Sequence, residues 1–239
     1  MPHHRYYLDK TFQKNDSVIL VEDEFHHLSH VLRARSGDLV ELVNGRGQLA
    51  QANLIEIKKH EATLHLVQVT EEMRCKTPLI LAQALTRMNH LEWVIEKGTE
   101  LGATAFWLFP GILSEKDQLS PTQLTRLSHL AIAAMKQCGR LDLPSIELKP
   151  PLLKWAPQTG TLLFGDLREQ TPYLWELSLT PLSPPMILVI GPESGFDDRE
   201  VEFLHNSLKA NGMRLHPNIL RTETAALVAL SLIQKYLQY

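Results

Sequence analysis

Several features that would assign a broad class are missing from this chain of 239 residues. No apolar run approaches the roughly 20 residues that a membrane-spanning helix needs, and the opening residues lack the apolar core of a signal peptide. Only two cysteines, Cys75 and Cys138, are present, which is too few for a disulfide framework or a zinc site. We therefore expect a cytoplasmic protein with no membrane segment and no bound metal.

Strong net charge and the common nucleotide-binding motifs are missing as well. Because the formal net charge is −3, any RNA-binding surface must be a local patch. Neither Gly-x-Gly-x-x-Gly after a strand nor a Gly-Lys-Ser/Thr loop occurs, so the usual Rossmann and P-loop signatures are absent. The hydrophobic content of 44% is enough to bury a sizeable core in one or two domains.

Residues 1–72 are predicted to form a small β-rich domain. Short alternating or β-branched runs indicate strands at Arg5–Leu8, Ser17–Val21, Leu39–Val43, Gln48–Ile57 and Ala62–Val69. A helix is predicted from Glu24 to Arg35. Its basic and histidine side chains form either a solvated face or a surface for RNA phosphates, and the pattern leaves both open. The segment Thr70–Pro78 marks the boundary to a second domain, residues 73–239.

The second domain is predicted to be α/β. From Pro78 onward, apolar runs alternate with helical segments, which is typical of a parallel sheet with helices on its faces. The predicted strands are Leu79–Leu85, Ala105–Phe109, Ser145–Leu148, Thr161–Phe164 and Met186–Ile190, and the predicted helices are Asn89–Leu101, Ser120–Gly139, Asp198–Ala210 and Ala225–Tyr236. The last helix is apolar nearly all round, so we expect it to be buried in the domain or in a subunit interface.

The segment Met186–Leu204 carries a candidate binding loop. Five apolar residues stop at Gly191 and Pro192, and a polar turn leads into a helix that opens with acidic residues. Ligands of open α/β sheets bind beyond the carboxyl ends of the strands, which is where this loop lies. Gly165, after another apolar run, predicts a second loop at the same edge. An ordinary strand-to-helix turn explains the loop equally well.

Three segments together resemble one known family. Val189–Phe196 (VIGPESGF) resembles its IGPEGG loop, Ile219–Ala225 (ILRTETA) resembles its LRTETA segment, and Ala131–Arg140 (AIAAMKQCGR) resembles its A-x-x-Q-x-x-R helix end. The motifs occur in order, and the resemblance covers nearly the whole chain. The sequence is thus similar to the RsmE family (ribosomal RNA small subunit methyltransferase E) of the SPOUT superfamily.

The resemblance implies both a fold and a reaction. The fold is a SPOUT-type knotted parallel-sheet methyltransferase domain with a C-terminal trefoil knot, preceded by a small PUA-like β-barrel domain, in a homodimer. The reaction is methyl transfer from S-adenosylmethionine to N3 of one uridine, number 1498, in 16S rRNA of the small ribosomal subunit.

The resemblance also implies a cofactor pocket. Its expected residues are Phe164, Gly165, Ile190, Gly191, Pro192, Glu193, Gly195, Ile219, Leu220, Thr222, Thr224 and Ala225. Ser194 replaces the second glycine of the family loop, which would strain the backbone if this position needs a positive φ. His216 and Asn218 stand where the family usually shows a glycine and an arginine.

The implied reaction requires removal of a proton from uridine N3, by a base or with a cation that stabilises the resulting anion. Glu223 is the candidate base and Arg221 the candidate cation. A structural alternative is that Glu223 caps the last helix.

RNA is expected to be held by its shape and backbone. The candidate contacts are Arg5, Arg33, Arg35, Lys97 and Arg140. Two other functions stay open at this point: a non-catalytic RNA-binding protein with a vestigial pocket, and a small-molecule α/β enzyme with another nucleotide cofactor.

Overall fold

The computed structural model describes residues 5–31, 34–72, 77–179 and 183–237. These residues fall into two compact units. The first contains the described residues up to position 72 together with 132–143, and the second contains 77–131 and the rest of the chain from residue 144. The predicted boundary at Thr70–Pro78 includes residues 73–76, which lie outside the described residues.

The first unit is built on a five-stranded sheet, as the alternating pattern predicted. Its strands are β1 (Arg5–Tyr7), β2 (Ser17–Val21), β3 (Leu39–Val43), β4 (Gln48–Ile57) and β5 (Glu61–Glu71), in the order β1-β3-β4-β5-β2. β1 runs parallel to β3, and the other pairs are antiparallel. Alternate side chains of the strands fill one core that includes Tyr6, Leu42 and Leu64.

The helix of the first unit differs from the prediction. Helix α1 (Glu22–His26) begins two residues earlier and continues as a π-helical turn, His27–Val31. Residues 32 and 33 lie outside the described residues, and Ala34 and Arg35 are not helical. The physical reason is a competing turn, in which the Arg35 backbone N–H donates to the Asp38 carboxylate at 2.7 Å.

Residues 132–143 add a second small core to the first unit. Val43, Met135 and Leu141 are buried together, with the side chains of Leu49 and Leu143 packed against them. Lys136 forms an ion pair with Glu24 at 2.5 Å. This part of the unit comes from a distant stretch of sequence and was not anticipated from the pattern.

The second unit contains a six-stranded sheet in which every pair of neighbours is parallel, as predicted. Its strands are β6 (Leu79–Ala84), β7 (Ala105–Phe109), β8 (Ser145–Leu148), β9 (Thr161–Gly165), β10 (Met186–Ile190) and β11 (Asn211–Met213), in the order β11-β9-β10-β6-β7-β8. The helices are α2 (Met88–Glu100), α3 (Pro121–Cys138, which passes into the first unit), α4 (Asp198–Asn206) and α5 (Thr222–Ile233).

Two elements near the end of the chain differ from the prediction. Helix α4 ends at Asn206 rather than near Ala210, because Lys209 adopts a φ of 55° and the Ala210 N–H turns back to the Leu204 carbonyl. Strand β11 follows this turn at Asn211 and was not predicted from the sequence. Because β11 runs parallel to β9, the segment after β11 lies at the carboxyl edge of the sheet.

Helix α2 lies very close to β7. A Cβ atom at Gly98 would come within 2.7 Å of the Phe106 ring, so only glycine allows this approach. Next to it, α5 is buried at Ala226, Ala229, Leu230 and Ile233, as its apolar sequence predicted. Leu227, Val228 and Leu232 on the same helix stay partly exposed.

Candidate functional site

A cavity of about 430 Å³ opens at the carboxyl edge of the parallel sheet, entirely within the second unit. Its wall consists of the segments that follow β9, β10 and β11 and of the first turn of α5. The lining residues are Gly165–Arg168, Ile190–Phe196, Asp198, Val201, Met213–His216, Asn218–Leu220, Thr222 and Ala225. Both the position and the volume are typical of a small-molecule site in an α/β protein.

All but two of the predicted cofactor-binding residues line this cavity. Phe164 is fully buried, and its ring packs edge-on against Phe196 and His205 with centroids 6.0 and 4.8 Å away. Thr224 is exposed in the first turn of α5. The expected second loop at Gly165 does lie at the same sheet edge as Gly191, because β9 and β10 are parallel neighbours.

The turn after β10 takes its shape from Gly195 rather than from Ser194. Gly195 has a φ of 76°, and its N–H donates to the Pro192 carbonyl at 3.0 Å. Ser194 does not adopt a positive φ. The serine at this position therefore causes none of the strain considered from the sequence.

Gln83 holds two walls of the cavity together. Its amide is fully buried at the end of β6 and donates to the Thr222 hydroxyl at 2.9 Å and to the Gly191 carbonyl at 3.4 Å. The Thr222 hydroxyl donates to the same carbonyl at 2.6 Å. The sequence analysis missed Gln83, although a single amide within the apolar run Leu79–Ala84 was a usable signal.

Asp166 orients an arginine on the cavity wall. Its carboxylate accepts hydrogen bonds from the backbone and side chain of Arg168 and from the Thr171 hydroxyl, at 2.6–3.1 Å. Burial acts to raise the pKa of Asp166, but these hydrogen bonds outweigh it, so the pKa lies below its usual range. Arg168 also contacts Nε2 of His205. No sequence motif marks Asp166 and Arg168, and their pairing was not predicted.

His90 lies between two glutamates beside the cavity. Its Nδ1 is 3.3 Å from Oε1 of Glu193, a cavity residue, and 3.7 Å from Oε2 of Glu223. Glu193 also accepts hydrogen bonds from the Thr86 hydroxyl and the Arg87 N–H. His90 thus links the loop after β10 to the first turn of α5, a role that the sequence analysis did not assign.

The two predicted reactive residues flank the cavity without lining it. Arg221 is exposed immediately before α5. The Glu223 side chain faces His90, and its Oε2 is inaccessible to solvent without a hydrogen-bond partner among the described residues. No side-chain hydrogen bond caps α5, so the capping alternative for Glu223 is not what the structure shows.

The residues predicted to hold RNA differ in their surroundings. In the first unit, Arg5 is nearly buried in an ion pair with Glu41 at 2.8 Å, and Arg140 pairs with Asp142 at 2.5 Å. Arg35 is exposed, and Arg33 lies outside the described residues.

In the second unit, Lys97 pairs with Glu96 and Glu100, both at 2.8 Å. The ion pairs of Arg5, Arg140 and Lys97 neutralise these cations locally, whereas Arg35 is exposed.

Comparisons with known proteins identify the family. Residues 73–234 match the family described as RNA methyltransferase domain, and residues 20–67 match the RNA methyltransferase PUA domain. A curated relative from Synechocystis, named ribosomal RNA small subunit methyltransferase E, is 31% identical over 93% of this chain and 74% of its own length. The chain belongs to the ribosomal RNA small subunit methyltransferase E family.

Solved structures agree with this family assignment. A methyltransferase from Legionella pneumophila in complex with bound cofactor SAM is 25% identical, covers 98% of both chains and has a TM-score of 0.90. A ribosomal RNA small subunit methyltransferase E from Neisseria gonorrhoeae bound to S-adenosyl methionine is also 25% identical, with a TM-score of 0.86 over 98% of this chain and 97% of that one. The predicted family and the predicted fold class, α/β with a PUA-like domain, are thereby confirmed.

The described part of this methyltransferase E family member contains neither a membrane-spanning helix nor a metal-binding cluster. Among the described residues, no helix is long and apolar enough to cross a membrane. Within the same ranges, no group of three or more His, Cys, Asp or Glu side chains is placed to hold a metal ion.

Proposed function

We propose that this protein transfers the methyl group of S-adenosylmethionine to N3 of uridine 1498 in 16S rRNA of the small ribosomal subunit. The observation that carries the proposal is the cavity, because the two segments with the family motifs, Ile190–Gly195 and Ile219–Ala225, meet on its wall. The Legionella and Neisseria structures, which hold S-adenosylmethionine, support the choice of methyl donor.

The cavity residues fit S-adenosylmethionine. The guanidinium of Arg168 suits the carboxylate of the cofactor, and the carboxylates of Glu193 and Asp198 suit its positively charged groups. Ile190, Val201 and Leu220 give apolar surface for the rest of the molecule. When bound, the cofactor supplies a methyl group that its sulfonium has already activated.

Deprotonation of the acceptor nitrogen is assigned to Glu223, and stabilisation of the resulting negative charge to Arg221. In support, Glu223 directly follows the cavity residue Thr222 in the first turn of α5. Removing a general base typically slows turnover 10²- to 10⁴-fold. Glu223→Gln should therefore lose at least about 100-fold in turnover while cofactor affinity stays unchanged.

The RNA contacts are assigned to Arg5, Arg33, Arg35, Lys97 and Arg140, with Arg35 as the exposed cation among those described. The target base must be unpaired or flipped, because N3 lies on its Watson–Crick edge. Residues 1–72 are proposed as the RNA-binding domain and residues 73–239 as the methyltransferase domain with the trefoil knot.

A homodimer in the cytoplasm completes the proposal. Helix α5 supports the dimer, since Leu227, Val228 and Leu232 are only partly covered by the chain itself. Partly exposed apolar side chains on one helix are typical of a surface that a subunit covers.

The decisive experiment supplies the purified protein with labelled S-adenosylmethionine and small ribosomal subunits that lack the modification. A single 3-methyluridine at the expected position supports the proposal. Cofactor binding with transfer to a different nucleotide would contradict the site of methylation. Absence of any cofactor binding would instead favour the non-catalytic RNA-binding function.

A further inference from the structure

Three flat side chains are stacked beside the cavity. The rings of Tyr173 and Trp175 are nearly parallel, at 7°, with centroids 4.5 Å apart. The guanidinium carbon of Arg214 lies 4.7 Å from the centre of the Tyr173 ring. Because the Trp175 ring covers one face of Tyr173, the guanidinium covers the other.

Backbone contacts hold this stack in place. The Leu174 N–H donates to the Arg214 carbonyl, and the Arg214 N–H donates to the Pro172 carbonyl, both at 2.9 Å. Leu174, which separates Tyr173 and Trp175 in the sequence, is fully buried. The Glu176 carboxylate accepts a hydrogen bond from the Tyr173 N–H at 2.8 Å. The stack is therefore ordered before any ligand arrives, which lowers the entropic cost of binding.

The outer ring of the stack faces solvent. Trp175 is 49% exposed, and its inner face is covered by Tyr173, so the exposed surface includes its outer face. At the other end of the stack, Arg214 lines the cavity. The Trp175 ring is thus separated from the lining residue Arg214 by the Tyr173 ring.

An unpaired nucleobase is the ligand that this surface fits. Proteins commonly bind single-stranded RNA by stacking its bases on aromatic rings and arginine planes, with little dependence on sequence. The cation Arg214, whose guanidinium lies over the Tyr173 ring, favours the phosphates of such a strand. The nearby acid Glu176 is already engaged with the Tyr173 N–H.

We propose that the exposed ring of Trp175 binds an unpaired base of the RNA, adjacent to the base that enters the cavity. The RNA as ligand rests on the proposed function. The stack would grip the strand without reading its sequence, which adds a contact that none of the predicted RNA-binding residues supplies.

Binding of hexauridylate to the full-length protein tests the proposal. We expect hexauridylate to quench tryptophan fluorescence, and Trp175→Leu to remove this quenching and to weaken binding about 5- to 150-fold, the usual value of one base–aromatic stack. Trp175→Phe keeps a stacking face and should retain most of the affinity. Leu148→Ala is the control, since Leu148 is 48% exposed on β8 of the same unit, and it should bind hexauridylate like the unmodified protein.

Four results would overturn the proposal. The first is no binding of hexauridylate by the unmodified protein, and the second is unchanged affinity in Trp175→Leu. The third is an equal loss of affinity in Leu148→Ala, and the fourth is that Trp175→Leu loses affinity for S-adenosylmethionine in place of RNA. A changed oligomeric state of Trp175→Leu with unchanged RNA affinity would mean that a second copy of the chain covers the ring. Methyl transfer by the unmodified protein is measured separately, so failure of the proposed function is distinguishable from failure of this contact.

Discussion

At the scale of single residues, Gln83 determines how the loop after β10 and the start of α5 meet. Gln83→Met keeps the volume but removes the donor to Thr222 and Gly191, so both walls of the cavity lose a shared anchor. We expect a loss of roughly 1–3 kcal/mol in the free energy of unfolding and weaker cofactor binding. Urea denaturation and calorimetric titration measure the two effects. Gln158→Met is the control, because the Gln158 amide donates to the nearby Ala156 carbonyl, and it should change neither the free energy of unfolding nor cofactor binding.

Asp166 makes the stability of the second unit depend on acidic pH. Because the pKa of Asp166 in the folded protein is below its usual range, its contribution is fully present above the pKa of the unfolded chain. It is lost as the pH falls through the folded pKa. Asp166→Asn should lower the free energy of unfolding by roughly 1–3 kcal/mol at neutral pH. On acidification, the variant should lose less stability than the unmodified protein.

Urea unfolding at a series of pH values checks the Asp166 prediction. The exposed Asp117 provides the control variant Asp117→Asn, which should follow the unmodified protein throughout. Parallel pH curves for Asp166→Asn and the unmodified protein would contradict a lowered pKa of Asp166 in the folded protein.

At the scale of elements, the contact between α2 and β7 depends on Gly98. Replacing glycine by alanine inside a helix normally gains about 1 kcal/mol from backbone propensity. Here the added Cβ meets the Phe106 ring at 2.7 Å, so overpacking should cost roughly 1–3 kcal/mol. The sign of the change in unfolding free energy therefore tests the packing. Asn89→Ala, exposed on the same helix, should be within about 0.5 kcal/mol of neutral.

Elements were predicted well where a single periodicity controls them. β10 has the predicted bounds because five consecutive buried apolar residues end at Gly191 and Pro192. The predicted end of the first helix at Arg35 was wrong. The turn at Arg35 depends on a hydrogen bond to the Asp38 carboxylate, which helical periodicity does not reveal.

The same distinction applies to the candidate site. The loop after β10 and the segment before α5 carry recognisable motifs, and the cavity residues among them followed from the resemblance. Asp166, Arg168 and Arg214 line the same cavity because β9 pairs in parallel with β11. No sequence motif connects these residues, so their place in the site could not be predicted before the fold was known.

At the scale of the whole molecule, the first unit depends on a segment that the sequence places far from it. Met135 is fully buried against Val43 and Leu141, so Met135→Ala should cost roughly 2–5 kcal/mol. Amide hydrogen exchange should show the loss of protection in β3 rather than in β10. The neighbouring exposed Ala133 gives the control Ala133→Ser, which should leave both strands protected. Equal loss in both strands would contradict the assignment of Met135 to the first unit.

The return of residues 132–143 to the first unit also bears on how the chain folds while it is being synthesised. The five strands of that unit leave the ribosome first, but Met135 and Leu141 emerge only after β6, α2 and β7 have been made. Until then the apolar side chains of Val43 and Leu49 lack their partners, which makes the nascent chain sensitive to aggregation. The N-terminal part of the protein thus reaches its final stability only when residue 143 has left the ribosome.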